Sequence, residues 1–428
     1  MILVVALIIL LALLLLSIPV AAAIAVLGLS LDYFFSPFPL YRSIGEITWS
    51  ASTDFILLAI PLFVLLGEIL LKAGIAERTY LALDRWLSWL PGGLLHANIG
   101  TSAMFSATSG SSVATAATIT TVAMPQGRKL GYNESLFAGS IAAGGTLGIL
   151  IPPSINLIVY GVLTNTSIPK LFLAGIVPGI LLALMFMLCM LAACLIWPSL
   201  GSPQRNASWR QRFSSLKDLL PVVFIFVVVI GSIYAGFATP TESAALGVIA
   251  ALALALAHGK LSLPFLIQVV EGTLRTTAMI MIIIIAANFL NFILSSVGLT
   301  ERLTNLLNTL GWGPMGTMLV IILLYIVLGF FIETLSLMVI TIPIIAPIVV
   351  SLGFDPIWFG VLLILLIEMA LITPPVGLNL YVVQGIRQKG SITDVMLGSL
   401  PFVVMIFLMI VVLLIFPDLA LILTPAVG

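Results

Sequence analysis

The chain has 428 residues, of which 61% are hydrophobic and only 7% charged, and its sixteen basic and sixteen acidic side chains cancel. That composition cannot fold around one aqueous core and places the chain in lipid as an all-α polytopic membrane protein. The charge balance gives no reason to expect nucleic acid as a partner, and two histidines with two cysteines leave little for a metal site.

Hydropathy marks twelve apolar segments, at 2–16, 20–31, 55–71, 94–124, 135–164, 171–197, 219–238, 243–257, 276–297, 315–349, 357–386 and 396–416. The first resembles a signal-peptide core but lacks the basic n-region, so it reads as a retained membrane segment. Segments 94–124 and 315–349 are too long for one crossing and are interrupted near their middles, so each reads as a re-entrant hairpin or as two crossings. Segments 135–164 and 357–386 are each cut by a proline pair, which predicts broken helices. The stretches 75–90 and 299–312 pair apolar spacing with charge and read as amphipathic arms along the interface. Cys189 and Cys194 lie in an apolar run and read as packing residues.

The polar loop 198–218 divides the chain into a first repeat, 1–197, and a second, 219–428. A shift of 222 puts Pro125 on Pro347, Gly131 on Gly353, Phe137 on Phe359, and Pro152 and Pro153 on Pro374 and Pro375. Coincidence at helix-breaking positions with almost no drift indicates an internal duplication. An odd number of crossings per copy inverts the second relative to the first. With the N-terminus outside, thirteen Lys and Arg fall in inside loops and three (Arg42, Lys170, Arg302) outside, which favours inverted repeats with both termini outside.

Polar groups in the apolar segments concentrate at 105–115, 144–156, 329–336 and 370–379. Non-helical backbone survives at membrane depth only where protein or a wet cavity satisfies it, so four such breaks imply a shared interior cavity. A helix that stops and restarts offers carbonyls to a cation and N–H groups to a carboxylate. Proline suits the restart because it lacks the N–H that the first turn would orphan. Close packing of small residues would also account for the serine-rich stretch. Glu333 and Glu368 have Ser111 and Thr146 as their counterparts in the first copy, so a proton relay and a structural bond both fit them. Glu68, near the inner end of its helix, is expected to reach the interface. No nucleotide-binding loop, Ser/His pair or HExxH motif occurs, so no enzyme activity is expected and energy must come from an ion gradient or another subunit.

At FSATSGSSVATAATITTVAMP, GGTLGILIPPSI and ALITPPVGLNLYV the sequence resembles the large membrane subunit of the tripartite ATP-independent periplasmic (TRAP) transporters, and the likeness covers essentially the whole chain. The resemblance implies a Na⁺-coupled secondary transporter of the bacterial inner membrane that imports an organic anion, such as a C4-dicarboxylate or sialic acid. It also implies an elevator-type fold of two inverted-topology repeats with re-entrant helical hairpins and broken helices. One Na⁺ site would use Ser106, Ser109 and Gly110 with Gly145 and Pro152; its mate would use Gly329, Glu333 and Thr334 with Thr373 and Pro374. The substrate carboxylate would lie near Ser109, Ser111, Ser112, Asn156 and Asn379. The implied partners are a separate small membrane subunit and a periplasmic substrate-binding protein docking around 32–51, 165–170 and 350–356. The alternatives are a stand-alone Na⁺- or H⁺-coupled symporter or antiporter of the same fold and, from another class, an ion channel or a structural scaffold.

Overall fold

The computed structural model of the chain describes residues 5–6, 8–9, 12–13, 16, 18–202, 207–299, 302 and 311–426, without the side chains of Ala107, Thr108 and Ala426. All regular structure among them is helical, and eight helices are long and apolar enough to cross a membrane. Much of the segment 2–16 and most of the arm 299–312 fall outside the described residues.

Helix α1 (Val20–Phe35) ends where buried Asp32 accepts the amides of Leu40 and Tyr41 at 3.1 and 2.9 Å. Helix α2 (Ile44–Thr53) occupies part of the stretch read as an outer loop; the chain turns extended at Asp54, which caps the next short turn by accepting the Ile56 amide at 2.9 Å, and α3 (Ala59–Lys72) follows. Gly74, at φ +73°, turns the chain into the first arm, α4 (Ile75–Leu87). The first interrupted segment is a hairpin of α5 (Leu94–Ser109) and α6 (Ser112–Lys129), joined by Gly110 at φ +60° and by Ser111. The first proline-cut segment is a broken helix. Its leading half, α7 (Glu134–Leu150), stops before a turn at 151–153, and α8 (Ile155–Thr164) restarts behind Ser154. Helix α9 (Ile168–Ile196) closes this half.

The second half runs α10 (Trp209–Tyr234), α11 (Pro240–Ala257), α12 (Leu263–Ser296), the hairpin α13 (Gly313–Gly329) and α14 (Thr334–Ser351), the broken helix α15 (Pro356–Ile372) and α16 (Leu378–Arg387), and α17 (Ile392–Ile415). The 222-residue shift carries the bounds of α6 onto α14 and those of α7 onto α15. Both segments read as hairpins or paired crossings are therefore helix–turn–helix units, and both proline-pair segments are broken helices.

Two boundaries differ from the sequence reading. Helix α10 begins at Trp209, inside the stretch read as loop, because Ser208 and Gln211 form a reciprocal capping box and Phe213 packs edge-on against Trp86 of the arm, ring centroids 6.0 Å apart. Helix α12 begins at Leu263 rather than 276, its charged turns carrying the Glu271–Arg275 pair at 3.5 Å. Hydropathy discounts charged turns that helix geometry accommodates.

Helices α7 and α15 form the centre, buried almost all round. Helix α7 packs on α5, α6 and α17. A side chain at Gly139 would fall on the backbone of Gly398, and one at Gly398 on the carbonyl of Ser135. Glycine at that crossing lets the two repeats meet backbone to backbone. On the other side α12 packs on α1 and α3, α11 on α3, and α10 on the arm α4.

Candidate functional site

The hairpin tips and the broken helices converge. A cavity of 830 Å³ is walled by Gly110, Ser111, Ser112 and Asn156 from the first repeat and by Glu333, Thr334 and Ser336 from the second. Its far wall is α12, through Thr276, Met279 and Ile283, and it reaches the start of α1 at Pro19. Among the described residues no Lys or Arg lines it.

The first tip is pressed against its own broken helix. A Cβ on Gly110 would lie 3.1 Å from the carbonyl oxygen of Pro153, one on Gly145 3.1 Å from that of Ser112, and one on Gly148 2.8 Å from that of Ser111. Thr115 Oγ1 donates to the Ser111 carbonyl at 2.8 Å and lies 2.9 Å from Ser109 Oγ. Ser106 Oγ donates to the carbonyl of Ser102, and Ser154 Oγ to that of Ile149 at 2.6 Å. Of the first predicted cation site, Ser109, Gly110 and Gly145 thus lie where the tip meets its broken helix, whereas Ser106 bonds back into its own helix and buried Pro152 lines neither the cavity nor the smaller pocket.

The second tip differs. Glu333 caps α14, its carboxylate accepting the amides of Leu335 and Ser336 at 3.1 and 3.0 Å and the hydroxyls of Thr334 and Ser336 at 2.9 and 2.8 Å. It occupies the position of Ser111, whose Oγ accepts the Ala114 amide at 3.4 Å. Gly329 faces Ala370, a Cβ on it lying 2.5 Å from the alanine methyl. Thr373 Oγ1 donates to Met369 O at 2.5 Å, and neither Thr373 nor Pro374 lines the cavity.

The predicted substrate residues separate into two groups. Ser111, Ser112 and Asn156 line the cavity, and the buried Nδ2 of Asn156 has no hydrogen-bond partner. Asn379 lies buried behind Ser112, accepting from its Oγ at 3.4 Å and donating to Ala142 O at 3.1 Å, so it ties the second break to the first repeat. Ser109 lines a smaller pocket beside Glu68 and Thr276. Glu68 is half-buried and faces Gly272, in the charged turn of α12 that carries Glu271 and Arg275. Glu368 is fully buried in α15, both carboxyl oxygens without a partner. Ser336 and Thr276 are wall residues that the sequence reading does not single out. The polar stretch 329–336 points to Ser336, whereas Thr276 sits at the edge of a hydropathy window.

Membrane-length helices around an interior cavity, with interrupted backbone at its wall, make a transport protein. Comparison with known proteins names the kind. Residues 7–419 match the family of the tripartite ATP-independent periplasmic transporter, DctM component. The chain is 34% identical over 371 residues to the sialic acid TRAP transporter large permease protein SiaM of Vibrio cholerae, covering 86% of each. It is also 34% identical to the C4-dicarboxylate large permease DctM of the same organism, covering 83% of each. It is 33% identical to the isethionate TRAP transporter permease protein DctMQ of Oleidesulfovibrio alaskensis, covering 92% of this chain and 60% of that protein. In fold it is similar to the Alcanivorax borkumensis YdaH transporter, with a TM-score of 0.63 over 89% of this chain and 88% of that one at 16% identity. The chain belongs to the TRAP transporter large permease family, whose members are transporters and not enzymes.

Proposed function

We propose that the chain is the membrane permease of a Na⁺-coupled importer of an organic anion, working with a small membrane subunit and a periplasmic binding protein in a bacterial inner membrane. The observation that carries this reading is the cavity itself: both hairpin tips reach it, and Asn156 offers a buried, unpartnered donor there. With no Lys or Arg among its described lining residues, an anion must be met by amide, hydroxyl and backbone N–H donors and by cations brought with it. The carbonyl-rich contact between the first tip and its broken helix suits Na⁺. The relatives are named for sialic acid, C4-dicarboxylates and isethionate, which are all organic acids, and the equal identity to the first two leaves the class as the organic anion.

We read this arrangement as the inward-facing one of an elevator, in which the hairpins and broken helices move against α1, α3, α11 and α12: the cavity reaches Pro19, which the positive-inside topology puts on the inner side. The test is uptake of a labelled organic acid into proteoliposomes holding the chain with its small subunit and binding protein. Uptake should require inward Na⁺ and saturate with substrate, and N156A should lower it at least tenfold. Uptake indifferent to Na⁺ would overturn the coupling, and non-saturating flux would favour a channel.

A further inference from the structure

Behind the first hairpin tip lies a second, smaller pocket of 60 Å³, lined by Val64, Gly67, Glu68 and Leu71 of α3, by Phe105, Ser109, Ser111 and Ala114 of the hairpin, by Ile155, and by Thr276 of α12. It has room for an ion or a water or two. Glu68 is half-buried and its carboxylate has no hydrogen-bond partner among the described residues; the Lys72 ammonium, one turn away on the same helix, acts on it through space without a close ion pair. The slot for the carboxylate exists because α12 has no side chain at Gly272, where a Cβ would lie 2.7 Å from Glu68 Oε2. One turn further along α12, Thr276 reaches the same pocket. The tip itself is seated on α3, since a Cβ on Gly67 would lie 3.2 Å from the carbonyl oxygen of Ser109.

A half-buried carboxylate whose nearest ammonium acts only through space keeps acceptor capacity that a cation in the pocket would fill. The pocket supplies oxygen chemistry around it: the hydroxyls of Ser109, Ser111 and Thr276 belong to residues on its wall, and the Ser109 and Ser111 carbonyls belong to the turn that closes it. No second carboxylate is present among the described lining residues, which disfavours a divalent ion; the ligand class is a small, hard monovalent cation held by oxygen.

We infer that Glu68, with Ser109, Ser111 and Thr276, forms a cation site of the sodium class between α3, α12 and the first hairpin tip, separate from the contact of that tip with its broken helix. The inference rests on the sodium-coupled reading above. Because its ligands come from both the moving hairpin and the stationary helices, a cation there holds the tip against α3 and leaves when the two part. Occupancy of the site therefore reports the position of the hairpin.

The test is thermal unfolding of the purified full-length chain, with Na⁺ replaced stepwise by choline at constant ionic strength. In wild type, Na⁺ raises the melting temperature with a measurable midpoint. E68Q should move that midpoint at least tenfold upward. G272A keeps the carboxylate but displaces it from its slot, in a helix that tolerates alanine, and should move the midpoint in the same direction even where E68Q folds poorly. A sodium response in wild type that is unchanged in both variants overturns this site and leaves the coupling proposal standing. Absence of any sodium response in wild type overturns both.

Discussion

The two repeats use the same break in different ways. In the first, glycines of the broken helix face the backbone of the hairpin tip: Gly145 and Gly148 leave room for the carbonyls of Ser112 and Ser111. In the second, the residue equivalent to Gly148 is Ala370, and the space is made instead by Gly329 on the hairpin. The restart helices differ as well. Helix α8 is buried over most of its length, whereas α16 exposes Tyr381 and Ile386 and starts from Gly377 with no side-chain cap. A duplicated backbone plan has yielded one tip locked by main-chain contact and one seated on a side chain, and the locked tip is the one that gathers carbonyl oxygens.

The sharpest way to break this comparison is to fill each space. G148L drives a side chain into main chain that cannot move aside, so it should cost about 3 kcal/mol of stability and abolish uptake. G329A meets only a methyl and should cost about 1–2 kcal/mol. The double variant G329A/A370G moves the methyl across the interface and should return to within about 1 kcal/mol of wild type. Melting temperatures of the purified variants decide it. Failure of the double variant to recover would mean that the second tip is also held by backbone.

Next in size is an asymmetry at the ends of the broken helices. Arg387, at the end of α16, is buried and donates through Nε to Glu134 at 3.0 Å and through Nη2 to Asp394 at 3.1 Å, while its carbonyl accepts from Arg128 at 3.0 Å. Its equivalent in the first repeat is Asn165, a left-handed C-cap. R387A therefore removes a bridge that only the second repeat has. The two carboxylates it serves are partly in solvent, which discounts the loss to about 2 kcal/mol. In the R387A background Glu134 keeps its partly exposed pair with Arg128 at 3.2 Å, so E134Q should add only about 0.5 kcal/mol, and a double-mutant cycle reads the coupling.

How much of this was readable in sequence follows from where the physics is local. Breaks at 110 and at the two proline pairs were legible because glycine, proline and serine clustered at membrane depth open a helix whose freed amides and carbonyls lipid cannot satisfy. The stop at Asp54 was not: in the second repeat the corresponding position is Thr276 and α12 runs through it, so the hydropathy of the two copies hides a helix break in one of them. Cross-repeat contacts such as Asn379 to Ala142 and Gly139 on Gly398 join residues far apart in the chain and leave no local pattern. The neighbour of Glu68 is Gly272, a glycine on another helix, so composition near Glu68 could not name what its carboxylate packs against.

The smallest predicted effect separates the two caps. Glu333 satisfies two amides at 3.0–3.1 Å, whereas Ser111 reaches one at 3.4 Å. A cap typically contributes about 1 kcal/mol, and a long contact less. In choline, where no cation adds to either cap, E333A should thus lower stability by about 1 kcal/mol and S111A by about half that, and the E333A melting temperature is then read again in saturating Na⁺. If the carboxylate only caps its helix, the E333A deficit is the same in both media. If Glu333 also holds a cation, as the family resemblance implies for the second site, the deficit grows in Na⁺, because wild type gains from the ion and the variant does not. The paired measurement assigns the second tip to capping alone or to capping with binding, and so decides whether the second repeat holds a cation.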